Sequence, residues 1–181
     1  MSRRSVFDVV RFKADSGGQG TFTALVAVYG NVDRQGDRIV PGAFDKSIAR
    51  WREAGDPIPV IWSHDWANPM SYIGAVDPEH VATAGRGLEV AGRLDVDDPF
   101  AAKVHKLLRE RRVTQWSFAY DVFDERSASD GANELLEVDL IETGPTLRGA
   151  NPATTTVAAK STTPNLELLG RIDQLRCRLS R

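Results

Sequence analysis

The run VTQWSFAYDVF, residues 113–123, is dense in β-branched and aromatic side chains and reads as a strand. Alternation along a strand puts Trp116, Phe118 and Tyr120 on one face and Ser117, Ala119 and Asp121 on the other. The aromatic face anchors the strand in a core, and the opposite face carries a hydroxyl with only an alanine beside it. A polar Ser/Asp/Gly/Asn loop separates this run from Leu135 to Thr143, a second predicted strand. There Leu136, Val138 and Leu140 form an apolar face, while Glu137, Asp139 and Ile141 lie on the reverse. These two strand-like runs, with the others along the chain, make the body strand-rich.

Working outward, Ser5 to Lys13 and Thr21 to Tyr29 are strand-like runs joined by Ser-Gly-Gly-Gln-Gly, a flexible turn that predicts a hairpin. Gly30 to Asp37, GNVDRQGD, is rich in turn formers. Phe44, Ile48 and Trp51 then recur at helical spacing and predict a helix over Ala43 to Ala54. Pro57 to Trp62, Tyr72 to Val76, Leu88 to Val96 and Thr154 to Ala159 read as further strands. Asp98-Pro99 is an N-cap with proline at the first helical position, opening a helix whose buried stripe is Ala101, Val104 and Leu108. The fold class is therefore α+β, mostly β with two intervening helices. Residues 1–160 form one domain. Beyond Thr163-Pro164, Leu168, Ile172, Leu175 and Leu179 mark residues 161–181 as an amphipathic C-terminal helix. Its two heptads leave docking on the body and pairing with a second copy as open alternatives.

Composition narrows the function classes. The 181 residues suit a single domain with a real core, and 41% hydrophobic with 27% charged residues is an ordinary globular balance. A net charge of -2 with dispersed basic residues argues against a nucleic-acid partner. Cys177 is the sole cysteine, so no disulfide or thiolate metal site forms within one chain, and a reducing compartment is expected. No apolar run approaches the roughly 20 residues that span a bilayer, and the Met-Ser-Arg-Arg start leads into a strand rather than a signal-peptide core. Neither a membrane nor an export signal is expected.

Three histidines limit the search for a general base. His80 follows Asp77-Pro78 in a polar turn and reads as solvated. His105 lies beside the apolar stripe of the second helix and reads as a helix-surface residue. His64 comes just after a predicted strand, flanked by Ser63, Asp65 and two tryptophans, where an imidazole finds polar partners; by residues alone it is a catalytic base or a structural histidine bonded to Asp65. Ser117 is likewise a nucleophile or a solvated strand hydroxyl, and Glu137 a functional or a solvated carboxylate. No HExxH pair, EF-hand pattern or phosphate-cradling glycine loop occurs, so no metal or cofactor is expected.

Several segments, in order, resemble the prohead proteases of tailed phages, which are similar to the herpesvirus assembly proteases. Tyr29 to Phe44 (YGNVDRQGDRIVPGAF) resembles the family's opening strand, turn and helix. Val60-Ile-Trp-Ser-His-Asp65 with Ile73-Gly74 resembles its histidine segment, and Gln115-Trp-Ser-Phe-Ala-Tyr120 its nucleophile strand. Leu136-Glu-Val-Asp-Leu-Ile141, followed by Ala150-Asn-Pro152, resembles its acidic strand and the turn after it. The resemblance spans roughly Val9 to Ala159. Ala119 stands where glycine is common, and Gly144 to Gly149 lengthens the path to Ala150.

The resemblance implies a small β-barrel of herpesvirus-protease type with peripheral helices, and a serine endopeptidase with Ser117 as nucleophile, His64 as general base and Glu137 as orienting carboxylate. Asp139 shares the face of Glu137, and Glu142 is nearby. Oxyanion donors are expected in the loop around Arg148. The implied substrates are the scaffold and the major capsid protein's extension, within a prohead in the host cytoplasm; a homo-oligomer, with a dimer as the analogue, is the implied assembly. The rival from another class is a non-catalytic scaffold or capsid-binding protein that retains the fold. A metal hydrolase built on His64 and Asp65 is a third, weaker rival.

Overall fold

The computed structural model describes residues 19–83 and 85–159. The predicted strand at Ser5 to Lys13 and the C-terminal helix at Leu168 to Leu179 lie outside the described residues. Within them run strands β1 (Thr21–Val28), β2 (Asp37–Ile39), β3 (Ile58–Ile61), β4 (Tyr72–Val76), β5 (Val81–Ala82), β6 (Gly87–Leu94), β7 (Gln115–Ser127), β8 (Asn133–Thr146) and β9 (Thr155–Ala159). Helices α1 (Asp45–Ala54) and α2 (Pro99–Arg109) interrupt them. The α+β, mostly-β reading holds at this level.

The strands form one mixed sheet in the order β2-β8-β3-β4-β6-β1-β9, with β5 attached to β6 and β7 to β8. Most neighbours are antiparallel, but β2 and β3 both run parallel to β8. This path is open, with β2 and β9 at its ends, so the strand pairing does not by itself make the closed barrel that the resemblance implies. The start of β7 is nevertheless tied to the β9 edge: Thr156 N donates to Thr114 O at 3.0 Å, and Trp116 Nε1 donates to Thr156 Oγ1 at 2.9 Å.

The core is apolar and continuous, from Phe22, Ala24 and Val26 on β1 through Ile58, Val60, Ile73, Leu88 and Leu94 to Leu135, Val138 and Leu140 on β8. α2 begins where expected, with the Asp98 carboxylate accepting from Ala101 N at 2.8 Å. It buries Ala101, Val104, His105 and Leu108. His105 is only 5% exposed, which corrects its reading as a surface histidine: it belongs to the helix's inward face. α1 fills the edge of β8 between the short β2 and β3 ladders. Val138 N donates to Ala43 O, Leu140 N to Ser47 Oγ, and Trp51 Nε1 to Leu140 O. Backbone groups that a neighbouring strand would satisfy are thus satisfied by the helix and its lead-in.

Candidate active site

Ser117 is held by the aromatic ladder on the other face of β7. Trp116 is fully buried and stacks on Phe22 at 4.8 Å between ring centroids. Phe118 meets Phe44 edge-on at 5.2 Å and Tyr120 at 4.9 Å. Truncating a buried tryptophan of this kind typically costs about 3–5 kcal/mol, so this face decides where the strand lies. Thr154 Oγ1 adds a clamp, accepting from Trp116 N at 3.0 Å and donating to Trp116 O at 2.8 Å. The Ser117 carbonyl accepts from Thr143 Oγ1 at 3.0 Å.

Gly144 lies opposite Ser117 on β8. A Cβ there would collide with the Ile61 carbonyl, so only glycine lets the end of β3 approach β8 this closely beside Ser117. Beyond Ile61 the chain enters a tight turn, Trp62–His64, in which Ser63 (φ 52°) and His64 (φ 59°) both adopt left-handed backbone conformations. For non-glycine residues each costs on the order of 1–3 kcal/mol, which the surroundings must offset. Trp62 packs edge-on against Phe100 at 6.4 Å, Asp65 N donates to Trp62 O at 3.2 Å, and Trp66 N donates to His64 O at 2.9 Å. The result aims the His64 ring toward β8.

There His64 Nδ1 meets Glu142 Oε1 in a short hydrogen bond. Glu142 is fully buried, whereas the His64 side chain keeps 34% exposure, so the carboxylate lies behind the imidazole and the imidazole faces solvent. The other carboxylate oxygen, Oε2, has no hydrogen-bond partner among the described residues. Pairing across the ribbon explains the placement. Glu142 lies opposite Ala119 and Gly144 opposite Ser117, with Ile141 as an extra residue in a β-bulge between Glu142 and Leu140. Directly opposed residues of an antiparallel pair share a face, so Glu142 belongs to the face of Ser117.

The other expected carboxylates are engaged elsewhere. Glu137 bonds Lys46 Nζ at 2.6 Å. Asp139 accepts from Ser47 Oγ at 2.8 Å and Arg50 Nη2 at 2.6 Å. Burial pushes the Asp139 pKa up, but these two bonds outweigh it and hold the carboxyl below its ordinary value. Five residues of extended strand put Glu137 about 16 Å from Glu142. Of the expected site residues, the structure thus brings Ser117 and His64 to one place and puts Glu137 on the α1 side of the sheet. One signal for Glu142 was present: unbroken alternation from Val138 and Leu140 would put it on the apolar face, where a carboxylate requires a partner, whereas the bulge at Ile141 turns it to the Ser117 face. Asp65, the other expected partner of His64, makes no side-chain hydrogen bond to it; the His64 ring bonds Glu142 instead.

His64 and Ser117 line a cleft of about 300 Å³ whose walls include Val26, Ile39, Trp116, Phe118 and Leu135. Asp33, Gln35, Ala150 and Asn151 also contribute to it. The two halves of that wall hold each other: the side-chain amides of Asn31 and Asn151 bond reciprocally at 3.1 and 3.0 Å. Arg148 is exposed beyond the end of β8 and does not line the cleft. At the far end Tyr120 donates to Asp37 Oδ2 at 3.3 Å, and burial, followed by the charge of Asp37, pushes its phenol up to about 12.

The sequence model of the caudovirus prohead serine proteases matches residues 8–167. The chain belongs to that family. This prohead protease is accordingly a serine peptidase, and its GNVDRQGD and Ala150-Asn-Pro152 segments are the two turns that lock together beside the cleft. No curated protein matches the chain.

Proposed function

We propose that this prohead protease cleaves peptide bonds with a Ser117–His64–Glu142 triad, in which Glu142 takes the role the sequence pointed to for Glu137. The observation that carries the reading is the His64–Glu142 bond, buried at its carboxylate end, beside a cleft that Ser117 also lines. A carboxylate only accepts, so Nδ1 donates to Glu142 and the Nε2 lone pair is left for the serine. Ser117 Oγ attacks the scissile carbonyl carbon as Nε2 takes its proton. That proton then passes to the leaving amine nitrogen as the C–N bond breaks, and water repeats the cycle on the acyl-enzyme. Glu142 keeps the ring oriented and stabilises the imidazolium.

The substrates are the scaffold and the N-terminal extension of the major capsid protein, cleaved inside the prohead. An extended segment fits the free edge of β7. The Trp116 N–H and C=O point away from β8, toward Thr154, and two residues on Phe118 presents its backbone in the same direction. The ties between Thr114 and Thr156 support reading the curled sheet as a nearly closed barrel of the assembly-protease kind.

A fluorophosphonate probe followed by intact mass measurement tests the triad. The expected outcome is one adduct on the wild type and none on Ser117→Ala, with co-expressed capsid protein trimmed only by the wild type. Trimming by Ser117→Ala would reject the assignment, and a wild type that neither reacts nor trims would favour the non-catalytic scaffold.

A further inference from the structure

The segment Leu147-Arg-Gly-Ala-Asn151 leaves β8 and forms one wall of the cleft through Ala150 and Asn151. A single residue of the opposing turn grips it twice. Arg34 Nη1 donates to Gly149 O at 2.6 Å, and Arg34 N donates to Ala150 O at 3.1 Å. In a trans peptide the carbonyl and the following N–H point in opposite directions, and no cis bond occurs among the described residues. Tying down the Gly149 and Ala150 carbonyls therefore turns the N–H groups of Ala150 and Asn151 away from Arg34.

Away from Arg34 is toward β7. Gly149 N donates to Gln115 Oε1 at 3.0 Å, and a Cβ on Gly149 would lie 2.7 Å from the Trp116 carbonyl oxygen. The loop thus lies between Arg34 and the strand that carries Ser117. Neither the Ala150 nor the Asn151 amide donates to another described residue. Two successive amides turned to one side make a concavity that favours negative charge. The reciprocal Asn31–Asn151 pair fixes its far end.

We propose that the backbone amides of Ala150 and Asn151 form the oxyanion hole and that Arg34 is the positioning residue that aims them at the substrate carbonyl. This rests on the triad reading above and replaces the expectation centred on Arg148. When Ser117 Oγ adds to the carbonyl carbon, the C=O π pair moves onto oxygen, where these amides donate to it. The pair returns to carbon as the C–N bond breaks and His64 delivers the proton to nitrogen. Without the Arg34 grip the Gly149 carbonyl is free to swing, because glycine tolerates the backbone rotation, and the Ala150 amide swings with it.

The test uses full-length protein and a peptide from the capsid extension that the wild type cleaves. Arg34→Ala should lower kcat about 10²- to 10³-fold with KM within about threefold, the loss typical of an oxyanion donor. Affinity for a peptidyl boronate, which carries a tetrahedral anionic centre, should fall in parallel. Arg34→Lys, which still offers a donor to Gly149 O, should recover part of kcat; if the alanine variant does not fold, the lysine variant carries the same readout of lowered kcat at constant KM. A wild-type kcat in Arg34→Ala, or a larger kcat loss in Arg148→Ala than in Arg34→Ala, would overturn the oxyanion assignment while leaving the triad standing. Failure of the wild type to react at Ser117 would remove the triad reading and this proposal together.

Discussion

The β7–β8 ribbon has two halves built from similar residues and put to different uses. In the proximal half, Gln115 to Ala119 faces Glu142 to Thr146, and β8 is buried from Glu142 to Thr146. In the distal half, Asp121 to Ser127 faces Asn133 to Asp139, and β7 is exposed throughout. Both halves carry carboxylates. The distal ones meet flexible cations at the surface: Glu137 meets Lys46, Asp139 meets Arg50, and Glu134 meets Arg126 at 2.7 Å and Arg38 at 3.2 Å. The proximal one, Glu142, meets only an imidazole among the described residues, with no water-facing surface. An exposed pair such as Lys46–Glu137 contributes about 0–1 kcal/mol, because solvent screens it and side-chain entropy opposes it. A buried carboxylate whose partner is removed typically costs about 3–5 kcal/mol. The same side-chain chemistry is a surface staple in one half and a fixed electrostatic element in the other, and what packs against the strand makes the difference.

The sharpest way to break this comparison is to neutralise one carboxylate in each half. Glu142→Gln, which leaves the imidazole without its anion and favours the wrong tautomer, should lower kcat/KM by about 10⁴-fold. Glu137→Gln should leave kcat/KM within about twofold, since it removes only a surface pair. Steady-state hydrolysis of a capsid-derived peptide reads both, and a larger loss at Glu137 would reverse the assignment.

A second comparison concerns packing. Gly144→Ala drives a methyl group into the Ile61 carbonyl and should destabilise the protein by about 3 kcal/mol, with loss of activity as the His64 turn is pushed away. Val122→Ala, on the distal half at 43% exposure, should change stability by no more than about 0.5 kcal/mol. Urea midpoints of the two variants are the measurement; equal midpoints would mean that the proximal half is not tightly packed.

The smallest effects concern pH. The Tyr120 phenol is raised from 10.0 to about 12 in the folded protein, so the folded state holds that proton more tightly than the unfolded chain. Its contribution is complete below pH 10 and is lost as pH rises to about 12. Asp139 works in the opposite sense. Its lowered pKa stabilises the fold above the unfolded carboxyl's value, and that contribution is lost as acid takes the pH down through the folded value. Thermal melts of Tyr120→Phe should therefore show a shallower alkaline decline than the wild type, and those of Asp139→Asn a shallower acid one; parallel pH profiles would remove these two groups as the cause.

Much of this was legible in the residues. The aromatic alternation of Trp116, Phe118 and Tyr120 placed Ser117 on the opposite face of a strand, and Asp98-Pro99 marked the start of α2. Strand and helix periods are local properties, so a single chain displays them without knowing its neighbours. His105 was misread because a helix stripe shows which residues are apolar but not how wide the covered face is. Alternation through Leu136, Val138 and Leu140 put Glu137 on a polar face without choosing between a functional and a solvated carboxylate, and only the resemblance of Leu136 to Ile141 to the family's acidic strand implied its catalytic role.

What the sequence by itself determined is the order of the longer strands and the two helices among the described residues, the family, and the serine and histidine that the fold brings to one cleft. Only the tertiary structure decided which carboxylate backs the histidine. That choice depends on a bulge at Ile141, on α1 claiming Glu137 and Asp139, and on a glycine that lets β3 close against β8. Each of these is a contact between segments far apart in the chain, and its energy exists only once both segments are in place.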